Sequence, residues 1–433
     1  MKNILKILCL IGLSINGIQA QVVPSPAPSQ SKAIVLKGGT VHTGEGQVLE
    51  NALVAFDQGK ITYVGAESNA DVDLSTYESV DVNGQHIYPG LILLGSNQGL
   101  EEIGAVRATQ DQSETGVFNP NVRAIVAYNT DSHLIPVLRS NGILLTQIIP
   151  GGGVVSGMSS VVQNDAWNWE DAAYATDEGI IMSWPTKSFG PRWWRGETNR
   201  RPNPNYKSTV EFIESALADG LAYSKLASPD KVNLKLEAMR GLYDGSKRFY
   251  LRANNAESII QGIDMTLKYG VKKVVLVGGR DAYYVKDYLK ANNIPVVLPQ
   301  THRLPSLEDD DVDMPFRMPG MLQKEGILVS MYYGGADQAR NIPFMAGTAA
   351  IYDMSKEEAL KMITLNAAKI LGIEDRAGSL VKGKDALIVV SKGDLLDMRS
   401  SQVTLAYIQG RKINLDNKHK QLYQRFKSKY TND

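Results

Sequence analysis

The chain has 433 residues, with 46 basic and 46 acidic side chains and a 43% hydrophobic fraction. That length exceeds the size at which one core stops growing, so a large domain with a smaller companion is expected. The balanced charge provides no field to gather nucleic acid or an anionic membrane, and neither is expected as a partner.

Met1-Lys2-Asn3 and Lys6 make a basic start, Ile7 to Ile15 an apolar run, and Ile18-Gln19-Ala20 a small-residue end. This order reads as an export signal over residues 1–20, cut before Gln21; a buried N-terminal helix is the plainer alternative. The run is too short to span a bilayer, so no membrane span is expected after signal removal. Cys9 is the one cysteine, so the mature chain has none and depends on its core for stability. Residues 21–31 read as an extended, mobile Pro/Ser linker. The expected destination is the bacterial periplasm.

From Ala33 to Tyr88 short apolar runs alternate with glycine turns, including Asp57-Gln58-Gly59-Lys60, the pattern of hairpins. From about Pro89 strands and helices alternate. Asp131 is placed to cap a helix reaching Leu138, and a strand follows at Ile143–Ile149. Ser208 with Glu211 forms a capping-box pair for a helix bearing Val210, Ile213, Leu217 and Leu221. Phe249–Leu251, Val274–Val277, Ile294–Leu298 and Ile327–Met331 read as strands. Helices are expected around Ile259–Leu267 and over Asp281–Asn292. Ser355 with Glu358 starts another, carrying Leu360, Ile363, Ala367 and Ile370 up to Gly372. Apolar strands alternating with helices point to parallel strands covered by helices, in a barrel or an open doubly wound sheet. After Arg376 short strands return, as if both chain ends pair in one small sheet, and a basic helix over Lys418 to Tyr430 closes the chain.

Three segments together resemble the amidohydrolase superfamily, most nearly its imidazolonepropionase-like periplasmic members. They are Ala33 to Gly65, Tyr88-Pro89-Gly90-Leu91-Ile92, and Leu365 to Val390. The resemblance implies an α/β fold with a distorted eight-stranded barrel over 89–375. It also implies a composite β-sandwich from 32–88 and 376–417, with residues 418–433 as a terminal helix. The activity it implies is metal-assisted hydrolysis of a non-peptide C–N bond, as in a cyclic amide. One or two divalent ions held at strand ends activate a water, and an acid on the last strand takes its proton.

The ligand positions are substituted. Where the family has Asp-x-His-x-His, this chain has Leu93, Gly95 and Asn97; where later histidines stand, it has Arg252 and the Gly278-Gly279-Arg280 run. Glycine cannot ligate, and a guanidinium repels a metal ion. The last-strand acid falls near Ser330 to Gly335, with Asp337 the nearest carboxylate. None of the five histidines, His42, His86, His133, His302 and His419, occupies a family position or forms a zinc-type pair. His42 and His86 are expected to be structural, and His133 to lie on the surface.

A relocated site is conceivable at His302 with Asp309, Asp310 and Asp311, where zinc or another divalent ion would bind; a solvated acidic loop is the plainer alternative. No cofactor is otherwise expected. All five tryptophans, Trp167, Trp169, Trp184, Trp193 and Trp194, fall in one short stretch with several arginines. Trp193 and Trp194 are candidates for stacking on a sugar or peptide, or for packing an inserted loop. Asn97, Arg252 and Arg280 are the binding candidates at the mouth, and Asp337 and His302 the catalytic ones. Two functions remain open. One is a hydrolase with a reduced or displaced site. The other is a non-catalytic barrel binding a small molecule or peptide, alone, as a homo-oligomer, or as companion subunit of an active paralogue.

Overall fold

The computed structural model describes residues 25–305, 310–335 and 337–431, leaving aside the side chain of Trp193. The export-signal reading, Asp309 and the start of the linker lie outside these residues. Five strands open the fold: β1 (Ile34–His42), β2 (Val48–Asp57), β3 (Lys60–Gly65), β4 (Glu78–Asp81) and β5 (His86–Pro89). The β2–β3 turn has positive φ at both Gln58 (46°) and Gly59 (78°), the handedness that suits a tight hairpin.

The barrel strands follow: β6 (Leu91–Ser96), β7 (Ile143–Ile148), β8 (Val155–Gln163) and β9 (Ala173–Ser183). A small hairpin, β10 (Ser188–Phe189) and β11 (Arg201–Pro202), precedes β12 (Arg248–Ala253), β13 (Val274–Gly278), β14 (Val296–Leu298) and β15 (Val329–Met331). The chain ends on β16 (Ile388–Ser391), β17 (Val403–Ile408), β18 (Arg411–Lys412) and an exposed helix, Lys418–Lys427.

Both chain ends meet in one sheet, ordered β18-β17-β16-β5-β1-β2-β3 with β4 beside β1. The join is β16 antiparallel to β5, Ile388 opposite Pro89. Leu36, Val54, Phe56, Ile87, Ile388 and Tyr407 form the core on one face of this sheet.

The second sheet runs β6 to β15 through eight strands and curls until Leu94 bridges Tyr332, nearly closing a barrel. The expectation of purely parallel strands needs correction at β8. It lies antiparallel to both β7 (Leu145 opposite Gln163) and β9 (Ser159 opposite Gly179). Only residues 149–154 separate β7 from β8, too few for the crossover that parallel neighbours require.

Local expectations shift in four places. The helix expected from Asp131 is Ile135–Arg139, with Pro136 in its first turn and no side-chain cap. The Ser208–Glu211 box does not form: the helix Tyr206–Ser224 starts earlier, and Ser208 Oγ donates to the Asn205 carbonyl inside its first turn. The Asp281–Asn292 helix is a 3₁₀ turn, Ala282–Val285, followed by the short helix Lys286–Ala291. The Ser355–Glu358 box does form, but its helix ends at Met362 and a second runs Leu365–Leu371, with Gly372 at φ 68° as its left-handed cap.

Residues 25–31 are tied down from Ala27 onward, whose N–H donates to Asp165 at 2.9 Å. Asp165 is fully buried and also pairs with Arg139 (2.6 Å) and Arg411 (2.8 Å). One carboxylate therefore joins the N-terminal segment, the barrel and the C-terminal strands.

Candidate functional site

In barrels of this kind chemistry belongs at the C-terminal strand ends, which position side chains from several strands around one mouth. Leu94, Gly95, Gln147, Ile149, Ile181, Tyr250, Arg252, Val277 and Val297 all face one interior cavity of about 10 Å³. That is room for about one water molecule. The barrel axis is therefore filled by side chains.

Each substituted ligand position has a physical account. Leu93 is fully buried in the main core. Gly95 has φ +65°, and a Cβ built on it would lie 3.2 Å from Tyr332 Cβ. Its N–H donates to Gln147 Oε1 at 3.1 Å. Asn97 Nδ2 donates to Glu101 and to Gln112 Oε1, and Asn97 Oδ1 is buried without a partner among the described residues. Arg252, on β12, points into the barrel; burial lowers its pKa, and the nearby Tyr332 hydroxyl opposes that shift. Beyond β13 the chain turns at Gly278 and Gly279, both with positive φ. Gly278 has φ +101°, and a Cβ there would lie 3.0 Å from the Ala253 carbonyl oxygen and 2.7 Å from Asn254 Oδ1, so any side chain at this position is strained. Arg280 follows and pairs with Asp281 at 3.2 Å. The residues at the mouth do not fit a divalent ion: the donor set has no imidazole, a guanidinium stands inside it, and Tyr332 closes the side where the first histidine would enter.

The other candidates are scattered. Asp337 is exposed, five residues past Tyr332, with Gln338 Nε2 donating to it at 3.4 Å. His302 Nε2 sits 2.6 Å from Thr348 Oγ1, its ring edge-on to Phe316, and desolvation lowers its pKa. Asp311 lies 3.8 Å from Arg317. Asp310 joins it on the rim of a 300 Å³ groove that also holds Arg280 and Arg303. Among the described residues no three histidine, cysteine, aspartate or glutamate side chains converge as metal ligands.

The tryptophans do not form one patch. Trp167 and Trp169 lie between β8 and β9, and because β8 runs backwards that connection is at the N-terminal end of the barrel. Trp193 and Trp194 follow β9, at the opposite end. Trp184 is buried, Trp194 is exposed, and the side chain of Trp193 lies outside the description. Nearby arginines are engaged: Arg192 and Arg201 both pair with Glu197. His42 is held by Glu357 (2.6 Å) and His86 (3.0 Å) and stacks on Tyr88, as a structural histidine would. His133, half exposed, lies 3.4 Å from Glu102.

Sequence reasoning missed a buried polar cluster inside the barrel. Glu178 accepts from Gln147 Nε2 (2.7 Å), Ser159 Oγ (2.6 Å) and the Tyr250 hydroxyl (2.8 Å). Burial raises the Glu178 pKa, and the three hydrogen bonds oppose that rise. Gln147 links this cluster to Gly95. No alternation along β7, β8 or β9 marks Gln147, Ser159 and Glu178 as one interior set, so the sequence carried no clear signal for them. Also missed was a 520 Å³ cavity at the opposite barrel end, bordered by Tyr128, Ser132, Arg139, Asn164 and Asp165.

Comparison with known proteins agrees with this architecture. The model of the amidohydrolase family matches residues 236–414. An imidazolonepropionase of Agrobacterium fabrum is 24% identical over 368 residues, covering 78% of this chain and 83% of the relative. One from Shewanella baltica is 28% identical over 181 residues, 41% and 43% of the two chains. The crystal structure of an amidohydrolase from Thermotoga maritima superposes with a TM-score of 0.75 at 25% identity, covering 88% of this chain and 99% of the other.

Proposed function

The chain belongs to the amidohydrolase superfamily, and from that membership we propose that it is a degenerate C–N hydrolase whose barrel mouth binds a small molecule without a divalent metal centre. The family match and the imidazolonepropionase relatives support the hydrolase class, with a cyclic amide or similar bond as the ancestral substrate. The single observation that carries the degenerate reading is the Gly95–Tyr332 contact. The residue in place of the first family histidine has no side chain, holds a left-handed φ, and has Tyr332 against the space a side chain would need. Losing several ligands together removes a metal outright rather than weakening it.

A displaced hydrolytic site has less support, because His302 is engaged by Thr348 and Asp337 stands on the exposed surface. Export to the periplasm, read from residues 1–20, is part of the proposal; N-terminal sequencing of the native protein tests it. The functional test is a panel of lactams, cyclic amides and dipeptides, assayed with added zinc and with chelator. No zinc-dependent turnover is expected. Hydrolysis that the chelator abolishes would overturn the proposal.

A further inference from the structure

We infer that the barrel mouth is an oxyanion site, in which the Arg252 guanidinium, with Arg303 and Tyr332 beside it, receives the carboxylate or phosphate of a small molecule. This deepens the proposed function and rests on its reading that no metal ion shares the mouth.

A guanidinium inside a barrel loses hydration, and a buried charge is normally paired or heavily hydrogen-bonded. Arg252 faces the interior cavity together with Tyr250, Ile181, Val277 and Val297. Among the described residues no carboxylate lies within ion-pair distance of it, and its guanidinium makes no side-chain hydrogen bond. The interior acid does not supply the missing charge. Glu178 is satisfied by Gln147, Ser159 and Tyr250, and the arginine that acts on it is Arg248 rather than Arg252. The one polar group acting on Arg252 is the Tyr332 hydroxyl, which also feels Arg303. A cation and a phenol thus meet at the ends of β12 and β15, with Arg303 nearby and itself offset by Asp310.

That arrangement is incomplete without an anion. The guanidinium offers paired donors in a plane, which match a carboxylate or phosphate, and Tyr332 adds a hydroxyl donor. The space decides how the ligand lies. Below Arg252 there is room for little more than a water, so the anionic head ends there. The separate 300 Å³ groove that holds Arg280 and Arg303 also carries Asp281, Asp310 and Asp311, so it suits the uncharged body of a ligand and not a second anion. A positive charge therefore stands where the family's ions would sit, but it is fixed to the chain and can hold an anion without activating a water.

The test is calorimetric titration of the full chain, freed of metal and held at low salt, with succinate and separately with inorganic phosphate. Binding of at least one is expected, and which of the two binds identifies the source of the anion. Arg252→Met is expected to weaken that binding at least tenfold, and Arg303→Met by less. A second readout separates binding from a structural role. In anion-free buffer Arg252→Met should melt at a higher temperature than wild type, because an unpaired, partly buried charge has gone, and added anion should close the gap. Wild-type chain that binds neither probe, or an Arg252→Met variant that melts lower in anion-free buffer, would overturn the inference. Neither outcome touches the reading that the metal is lost, which fails instead if zinc binds.

Discussion

Gly95→Ala puts a single methyl group against Tyr332, where a side chain is tightly opposed. Two costs add. Gly95 sits at φ +65°, a region that disfavours an L-residue by roughly 1–2 kcal/mol. The new Cβ would lie 3.2 Å from Tyr332 Cβ, closer than ordinary contact, and 3.5 Å from its Cγ and Cδ2, at ordinary contact. Forcing a methylene into a packed interior costs about 1–3 kcal/mol. Tyr332 has little room to retreat, since it closes the barrel against Leu94 and its backbone N–H donates to the Leu298 carbonyl. The expected destabilisation is therefore about 2–5 kcal/mol, combining the two terms. Equilibrium urea unfolding, followed by tryptophan fluorescence, measures it as a drop in midpoint at unchanged slope. The slope matters because a change there would report altered compactness instead. A loss below roughly half a kilocalorie, the ordinary scale of a surface substitution, would mean that the mouth accommodates a side chain at this position. The steric argument against a histidine ligand would then fail.

Two further perturbations examine the interior charges. Asp165→Asn leaves Arg139 and Arg411 without their shared carboxylate, and breaking such a buried pair is expected to cost about 3–5 kcal/mol in the same urea assay; a loss under about 1 kcal/mol would show that the joint between chain ends and barrel is not held there. Glu178 has a folded pKa raised by burial, so its contribution is full below its unfolded pKa and declines as pH rises through the folded value. Glu178→Gln cannot ionise, so its urea midpoint relative to wild type should rise as pH increases through the window that opens at the unfolded glutamate pKa of about 4.3. A difference that stays flat across that window would contradict the raised pKa.

The fold was legible where pattern and geometry coincide. Gln58-Gly59 gives its hairpin by residue type alone, and the Ser355–Glu358 box and Gly372 mark helix ends as their chemistry requires. Pairing of the two chain ends followed from short apolar runs at both termini, which cannot bury a face alone. The strand β8 was not legible. Its residues Ser156, Gly157, Ser159 and Ser160 are all buried, yet small polar side chains without alternation read as loop. The serines tolerate burial because Ser156 Oγ donates to the nearby Gly152 carbonyl, Ser159 Oγ donates to Glu178 on the next strand, and Ser160 Oγ accepts from the Asp177 N–H there. Missing β8 also hid its direction, so the sequence did not show that Trp167 and Trp169 lie at the opposite barrel end from Trp193 and Trp194. At the mouth, the absence of histidine at positions 95 and 97 was plain from sequence. Its consequence was not, because Tyr332 closes on Gly95 from a strand more than two hundred residues away.

The central claim is that this barrel mouth carries a fixed cation in place of a metal centre. Native mass spectrometry of the chain purified with excess zinc and then desalted tests it most directly. The account expects the mass of the metal-free chain. One or two zinc ions retained per chain, and lost on Asn97→Ala or Asp337→Ala, would contradict it.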